Sequence, residues 1–82
     1  MLVKKEKLAH FLEVKNLSKE KFAAILDVEV SEVEKMLNGE TVGLHTSRRF
    51  IRFFKAEVAQ HYIDWETMNI KNPLEEKRNE KF

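Results

Sequence analysis

Between Lys4 and Lys15 the chain reads KKEKLAHFLEVK, and Leu8, Phe11, Leu12 and Lys15 recur at intervals of three and four. That rhythm predicts a first helix from about Val3 to Lys15, ended by Asn16. Ser18, followed by Glu20 and Lys21, is the N-cap of a second helix. Phe22, Ala23 and Leu26 fall on its buried side, and Asp27 breaks it. A third helix follows from roughly Val30 to Leu37, burying Val33 and either Met36 or Leu37. Asn38-Gly39 stops it, because both residues tolerate a left-handed backbone. Glu40 to His45 reads as a loop. Thr46 or Ser47 then caps a fourth helix, the longest, reaching about His61. Its Phe50, Ile51, Phe53, Phe54 and Val58 cover more than one stripe, so part of that surface is expected to meet a partner or the C-terminal segment. Asp64 caps a further short helix at Trp65-Glu66-Thr67-Met68, and Asn72-Pro73 interrupts the chain before a last turn at Leu74. The closing LEEKRNEKF mixes charges.

At 82 residues the chain is long enough for one small core and too short for two. Two glycines and one proline leave little punctuation for hairpins, which supports an all-α reading. The absence of cysteine removes disulfides and thiolate zinc sites as sources of stability, so the core must suffice or be completed by dimerisation. It also fits a reducing compartment. MLVKKEKLAHFLEVK has no continuous apolar run, so neither a signal peptide nor a membrane span is expected there, and the expected location is cytoplasmic.

Net charge is only +1, weak for a nucleic-acid binder judged on totals. The distribution is uneven. Residues 1 to 26 carry +3, residues 27 to 40 carry −4, and residues 41 to 61 return to +3 through Arg48, Arg49, Arg52 and Lys55 against Glu57. An acidic stretch is thus flanked by two basic ones.

LSKEKFAAILDVEVSEVEKMLNG, from Leu17 to Gly39, resembles the helix-turn-helix of the Cro and C1 repressor family of phages and the Xre-type regulators of bacteria. The matching positions are Leu17, Ser18, Glu20, Phe22, Ala23, Leu26, Val28, Ser31, Val33 and Asn38-Gly39. A small residue at Ala23 lets two helices approach closely, Val28 plugs the turn, and Val33 packs back on the second helix. The resemblance spans roughly Lys4 to Val58. It implies an all-α bundle of four to five helices, with residues 1–61 as a DNA-binding-like domain and the motif at 18–38. Residues 62–82 would then be a C-terminal segment packing on the fourth helix, or a frayed tail.

Carried over residue by residue, the resemblance puts Val30, Ser31, Glu32 and Lys35 at base edges, with Glu29 beside them. Lys19, Asn38, Ser47 and Arg48 would lie against phosphates. Lysines 4, 5 and 7 would add a nonspecific arm. Two departures stand out. Asp27 occupies a turn position where the family often has glycine, and Glu29-Val30 opens the third helix where small polar or amide residues are usual. A carboxylate can accept a hydrogen bond from cytosine N4 and Val30 can meet a thymine methyl, yet Glu29, Glu32 and Glu34 together repel phosphates. Glu29 complements the helix dipole, and an internal pair would satisfy Glu34.

Two functions follow. The first is a sequence-specific regulator of double-stranded DNA, a small repressor of phage or mobile-element type acting as a homodimer. The second is the same frame redirected to a protein partner through the acidic third helix, as an antirepressor, antitoxin or host-enzyme inhibitor, with Ala24, Ile25 and Val30 as a small apolar patch. Phe53, Trp65, Met68 and Ile70 are the expected dimer or partner surface, and Phe50, Phe53 and Phe54 are assigned to core and dimer contact rather than to base stacking. His10, His45 and His61 share no helical face and no carboxylate pattern joins them, so no metal or other cofactor is expected. With no nucleophile beside a base and no glycine-rich phosphate loop, the chain reads as non-enzymatic.

Overall fold

The computed structural model describes residues 1 to 74, which form an all-α structure of six helices. These are α1 (Lys5–Val14), α2 (Lys19–Leu26), α3 (Val30–Leu37), α4 (Leu44–Phe54), α5 (Ala56–Ala59) and α6 (Trp65–Met68). Among the described residues there is no strand, only an isolated antiparallel bridge between Val3 and Ile63. No helix among them is long and apolar enough to cross a membrane. The expectation of a packed or frayed tail falls, from residue 75 onward, outside the described residues.

Four helices stop by one device. After α1, α2, α3 and α6 the chain passes through a left-handed residue, respectively Asn16, Asp27, Gly39 and Asn69. These types reach positive φ at little or no steric cost. Each lets two consecutive N–H groups fold back on the last turn. After α2, for example, Asp27 donates to the Ala24 carbonyl and Val28 to that of Ala23. Val28 thereby drops onto the core as a plug. Ser18 starts α2 by accepting the Lys21 N–H at 3.1 Å, and Asp64 starts α6 by accepting that of Thr67 at 3.1 Å.

The core is drawn from Leu8 and Leu12 of α1, Phe22, Ala23 and Leu26 of α2, Val33 and Met36 of α3, and Phe50 and Phe54 of α4. Ala23 is buried where α2 meets α3 and leaves room for that contact. Beside it, Phe11, Phe22, Phe50, Phe53, Phe54 and Tyr62 form an aromatic cluster, mostly edge-on. Within it Tyr62 lies flat against Phe54 with centroids 4.6 Å apart. Edge-on and offset contacts of this kind add to the area term.

The first residues are extended rather than helical, and this corrects the expected start of the first helix at Val3. Met1 exchanges backbone bonds with Val42, Lys4 N–H donates to the Tyr62 carbonyl at 2.7 Å, and Asp64 N–H donates to that of Leu2 at 2.8 Å. The extended ribbon satisfies its backbone groups and buries Leu2 and Val3, which a helix starting at Val3 would not achieve on both sides at once. It also ties residues 62 to 64 to the N terminus, across the division drawn at residue 61.

The expected fourth helix is likewise corrected at both ends. It begins at Leu44 with Gly43 in the cap position, so Thr46 and Ser47 are inside it. Ser47 Oγ donates back to the Gly43 carbonyl at 2.7 Å, and Thr46 is buried. At its far end the helix does not run on to His61. It breaks at Lys55, which stands at φ 67°, ψ 155°, and α5 restarts in a new direction. The break lets Ala59, Tyr62 and Ile63 return to the core. Beyond it Gln60 organises the chain: its carbonyl accepts Trp65 Nε1 at 3.0 Å and its Oε1 accepts Asn72 Nδ2 at 2.9 Å.

Candidate functional site

The outer face of α3 is set by helical period. With Val33 and Met36 buried, Ser31, Lys35 and Asn38 follow at i, i+4 and i+7 and are all exposed. They make one polar stripe whose charged member, Lys35, is paired with Glu32 at its edge. Val30, at the first position of α3, is half-buried and packs against the core. Glu29 precedes it in the cap position without capping through its side chain.

Glu32 and Glu34 lie on the two sides of this stripe, and each is held by a different neighbour. Glu32 turns toward α4, where its Oε1 accepts the Thr46 hydroxyl at 2.7 Å, while Lys35 Nζ stands 3.1 Å from its Oε2. The Thr46 hydroxyl first, and Lys35 second, hold the Glu32 carboxyl below the usual carboxylate range. Glu34 turns toward α2 and accepts Lys19 Nζ at 2.7 Å. That bond raises the Lys19 ammonium above its ordinary value. At the turn, Asp27 is 3.5 Å from Arg49 of α4, an exposed and weak pair. Glu29 takes part in no ion pair among the described residues.

Of the residues expected at phosphates, Asn38 and Arg48 are exposed, Ser47 is half-buried with its hydroxyl turned to Gly43, and Lys19 is engaged by Glu34. Arg48 shares a basic groove of about 630 Å³ with His45, Arg49, Ile51 and Arg52. A second groove, about 600 Å³, lies between the turn and the start of α4, where Glu20, Asp27, Glu29 and Glu32 face Ala24 and Val30. The two grooves meet at His45, so positive and negative surface adjoin there.

The expected dimer surface is not one surface. Phe53 packs edge-on against Phe22 at 5.6 Å and Phe11 at 6.3 Å, while 40% of it stays exposed. Trp65 instead lines a small apolar cavity with Ile51, Ala59, Ile63 and Leu74. Ile51 precedes Phe53 by two residues and so stands about 200° around α4 from it. Met68 is half-buried and Ile70 exposed in that C-terminal segment.

Sequence reasoning missed Thr46 as the partner of Glu32 and Gln60 as the anchor of the C-terminal segment. Thr46 carried a signal only for capping, and Gln60 none, since both roles depend on residues distant in the chain. No protein-family model, curated protein or solved structure matches the chain.

Proposed function

We propose that the chain is a DNA-binding regulator of helix-turn-helix type, similar to the Cro and C1 repressors, in which α2, the turn at Asp27 and α3 form the motif. In this reading α3 enters the major groove and acts on a bound site in the cytoplasm as a small repressor. Ser31 and Lys35 face base edges beside Val30, and Asn38 and Arg48 lie against phosphates, while Ser47 keeps its hydroxyl proton on the Gly43 carbonyl.

The observation that carries the reading is the arrangement around α3. Its exposed stripe is Ser31, Lys35 and Asn38, and Glu32 and Glu34 are both turned aside onto Thr46, Lys35 and Lys19. A carboxylate paired with an ammonium contributes little net field at the distance of a phosphate. The acidity of the third helix is therefore mostly internal. Glu32 becomes a side-chain clamp rather than a base reader, and Glu29 is left as the acid nearest the groove.

Selection of bound duplexes from a random pool at low salt, followed by titration of the winner at rising salt, tests this. Enrichment of one sequence, with log affinity falling against log salt by about 0.9 per neutralised phosphate, is the expected result. Absence of binding at low salt overturns it.

One observation favours a protein partner instead. Ile25 is 51% exposed and Ala24 is exposed beside an acidic groove, a combination suited to a basic segment with an apolar anchor. Val30 adds little to that patch, being packed on the core. Neutralising Glu29 separates the two readings.

A further inference from the structure

The stretch FFKAEVAQHY, from Phe53 to Tyr62, contains neither glycine nor proline and has the composition of continuous helix. In the fold it is broken at Lys55, at φ 67°, ψ 155°, a backbone region occupied essentially by glycine alone. The hydrogen bonding of α5 starts afresh at the Lys55 carbonyl, which accepts from Val58 and Ala59. Nothing local favours this bend. What holds it lies further on, where Tyr62 stacks on Phe54 at 4.6 Å and the Val3–Ile63 bridge is flanked by bonds of 2.7 and 2.8 Å.

In a continuous helix Tyr62 would stand eight residues, about 12 Å along the axis, from Phe54. One chain cannot keep both the straight helix and that stack. Two chains can. If Lys55 becomes helical, residues 56 to 74 swing away from their own body and can dock on a second copy, re-forming the same contacts in trans. Both lysines then leave their strained conformation, and only the entropy of association opposes the exchange. Strain in a short hinge is the condition under which such exchange is favoured.

We propose that this chain dimerises by exchanging residues 56 to 74 between two copies, with Lys55 as the hinge. This gives the dimer a structural basis that does not depend on a shared face of Phe53 and Trp65, and it stands independently of the DNA reading.

The hinge is tested by sedimentation of the full chain, K55G and K55A from low micromolar to millimolar concentration. Glycine removes the strain of the bend and disfavours the helix, so K55G should raise the dimer dissociation constant at least about tenfold, whereas K55A should leave it unchanged or lower it. The exchange itself is tested by V3C/I63C in a chain that has no other cysteine. Positions 3 and 63 face each other between the flanking hydrogen bonds, with Cα atoms about 4.5 Å apart in such pairs, within reach of a disulfide. After oxidation, the dimer fraction should run as covalently linked chains on a non-reducing denaturing gel and the monomer fraction as single chains. Dimers holding only intrachain disulfides would overturn the exchange. A wild type and K55A that stay monomeric at millimolar concentration, or a K55G as dimeric as wild type, would overturn the hinge. Should the cysteine pair fail to fold, the Lys55 comparison decides alone.

Discussion

Thr46 of α4 donates its hydroxyl to Glu32 of α3 across 2.7 Å, and the threonine is buried while the glutamate stays partly open to solvent. Fourteen residues apart in sequence, the two fix how the start of α4 sits against α3. They also determine how much of the negative charge of α3 faces outward.

Replacing Thr46 with Val keeps the shape and removes the donor. We expect a loss of about 1 kcal/mol at neutral pH, below the usual value for a bond to a charged group because water can reach Glu32. Urea denaturation checks it. The loss should depend on pH with a definite sign. Glu32 is depressed in the fold, so its contribution is fully present above the unfolded carboxylate value and is lost as pH falls through the folded one. The difference between T46V and wild type should therefore narrow in acid. A difference that widened there would contradict the assignment.

Asp64 works in the same direction. The Thr67 N–H first, and its hydroxyl second, lower the Asp64 carboxyl, so acid should weaken the cap of α6. In D64N, amide exchange around Trp65 to Met68 should be faster than in wild type at neutral pH and respond less to acid. Equal pH responses in the two proteins would show that the cap does not titrate.

Under the DNA reading, the Lys19–Glu34 pair makes an unusual prediction. Removing an acid should strengthen binding by more than the acid's own repulsion, because E34Q also frees Lys19 for a phosphate. The salt dependence of affinity for duplex DNA should steepen by about 0.9 in the log–log slope, one extra neutralised phosphate. Fluorescence anisotropy at four or five salt concentrations measures it.

Glu29 distinguishes the two proposed partners. It joins no ion pair among the described residues, so E29Q should leave thermal stability nearly unchanged. Under the DNA reading its DNA affinity should hold or rise, whereas under the protein-partner reading its affinity for a basic partner should be lost. A fall in DNA affinity, with the melting temperature intact, would mean that the carboxylate accepts a hydrogen bond from a base.

The strained hinge has a thermodynamic signature of its own. Lys55→Gly should stabilise the bent form by about 1 kcal/mol, the difference between the relief of a glycine-only conformation and the extra backbone entropy of glycine. For a chain of this size that is about 4–8 °C in Tm, read by calorimetry at a concentration where the protein is monomeric. Asp27→Ala should act oppositely, because alanine lacks the local hydrogen bonding that helps aspartate occupy a left-handed position.

What the sequence determined by itself was everything governed by neighbours within a turn or two. Ser18 and Asp64 as caps, Asp27 and Gly39 as stops, and α3 from Val30 to Leu37 were legible because a cap or a left-handed residue acts on backbone groups a few positions away. The burial of Phe22, Ala23, Leu26 and Val33 was legible from their period, whereas the choice between Met36 and Leu37 was made by packing, which buries Met36. Tertiary structure decided the rest. Nothing near Lys55 announces a bend; it exists because Tyr62 and Ile63 gain more by returning to Phe54 and Val3 than the backbone loses at one residue. Residues 1 to 4 are extended because segment 62 to 64 supplies their hydrogen bonds. An internal pair for Glu34 was expected, but the partners of α3's acids were out of reach, for Glu32 and Glu34 look alike in sequence and differ only in facing Thr46 on one side and Lys19 on the other. Local rules act through the chain; these contacts act through space, and only packing brings their partners together.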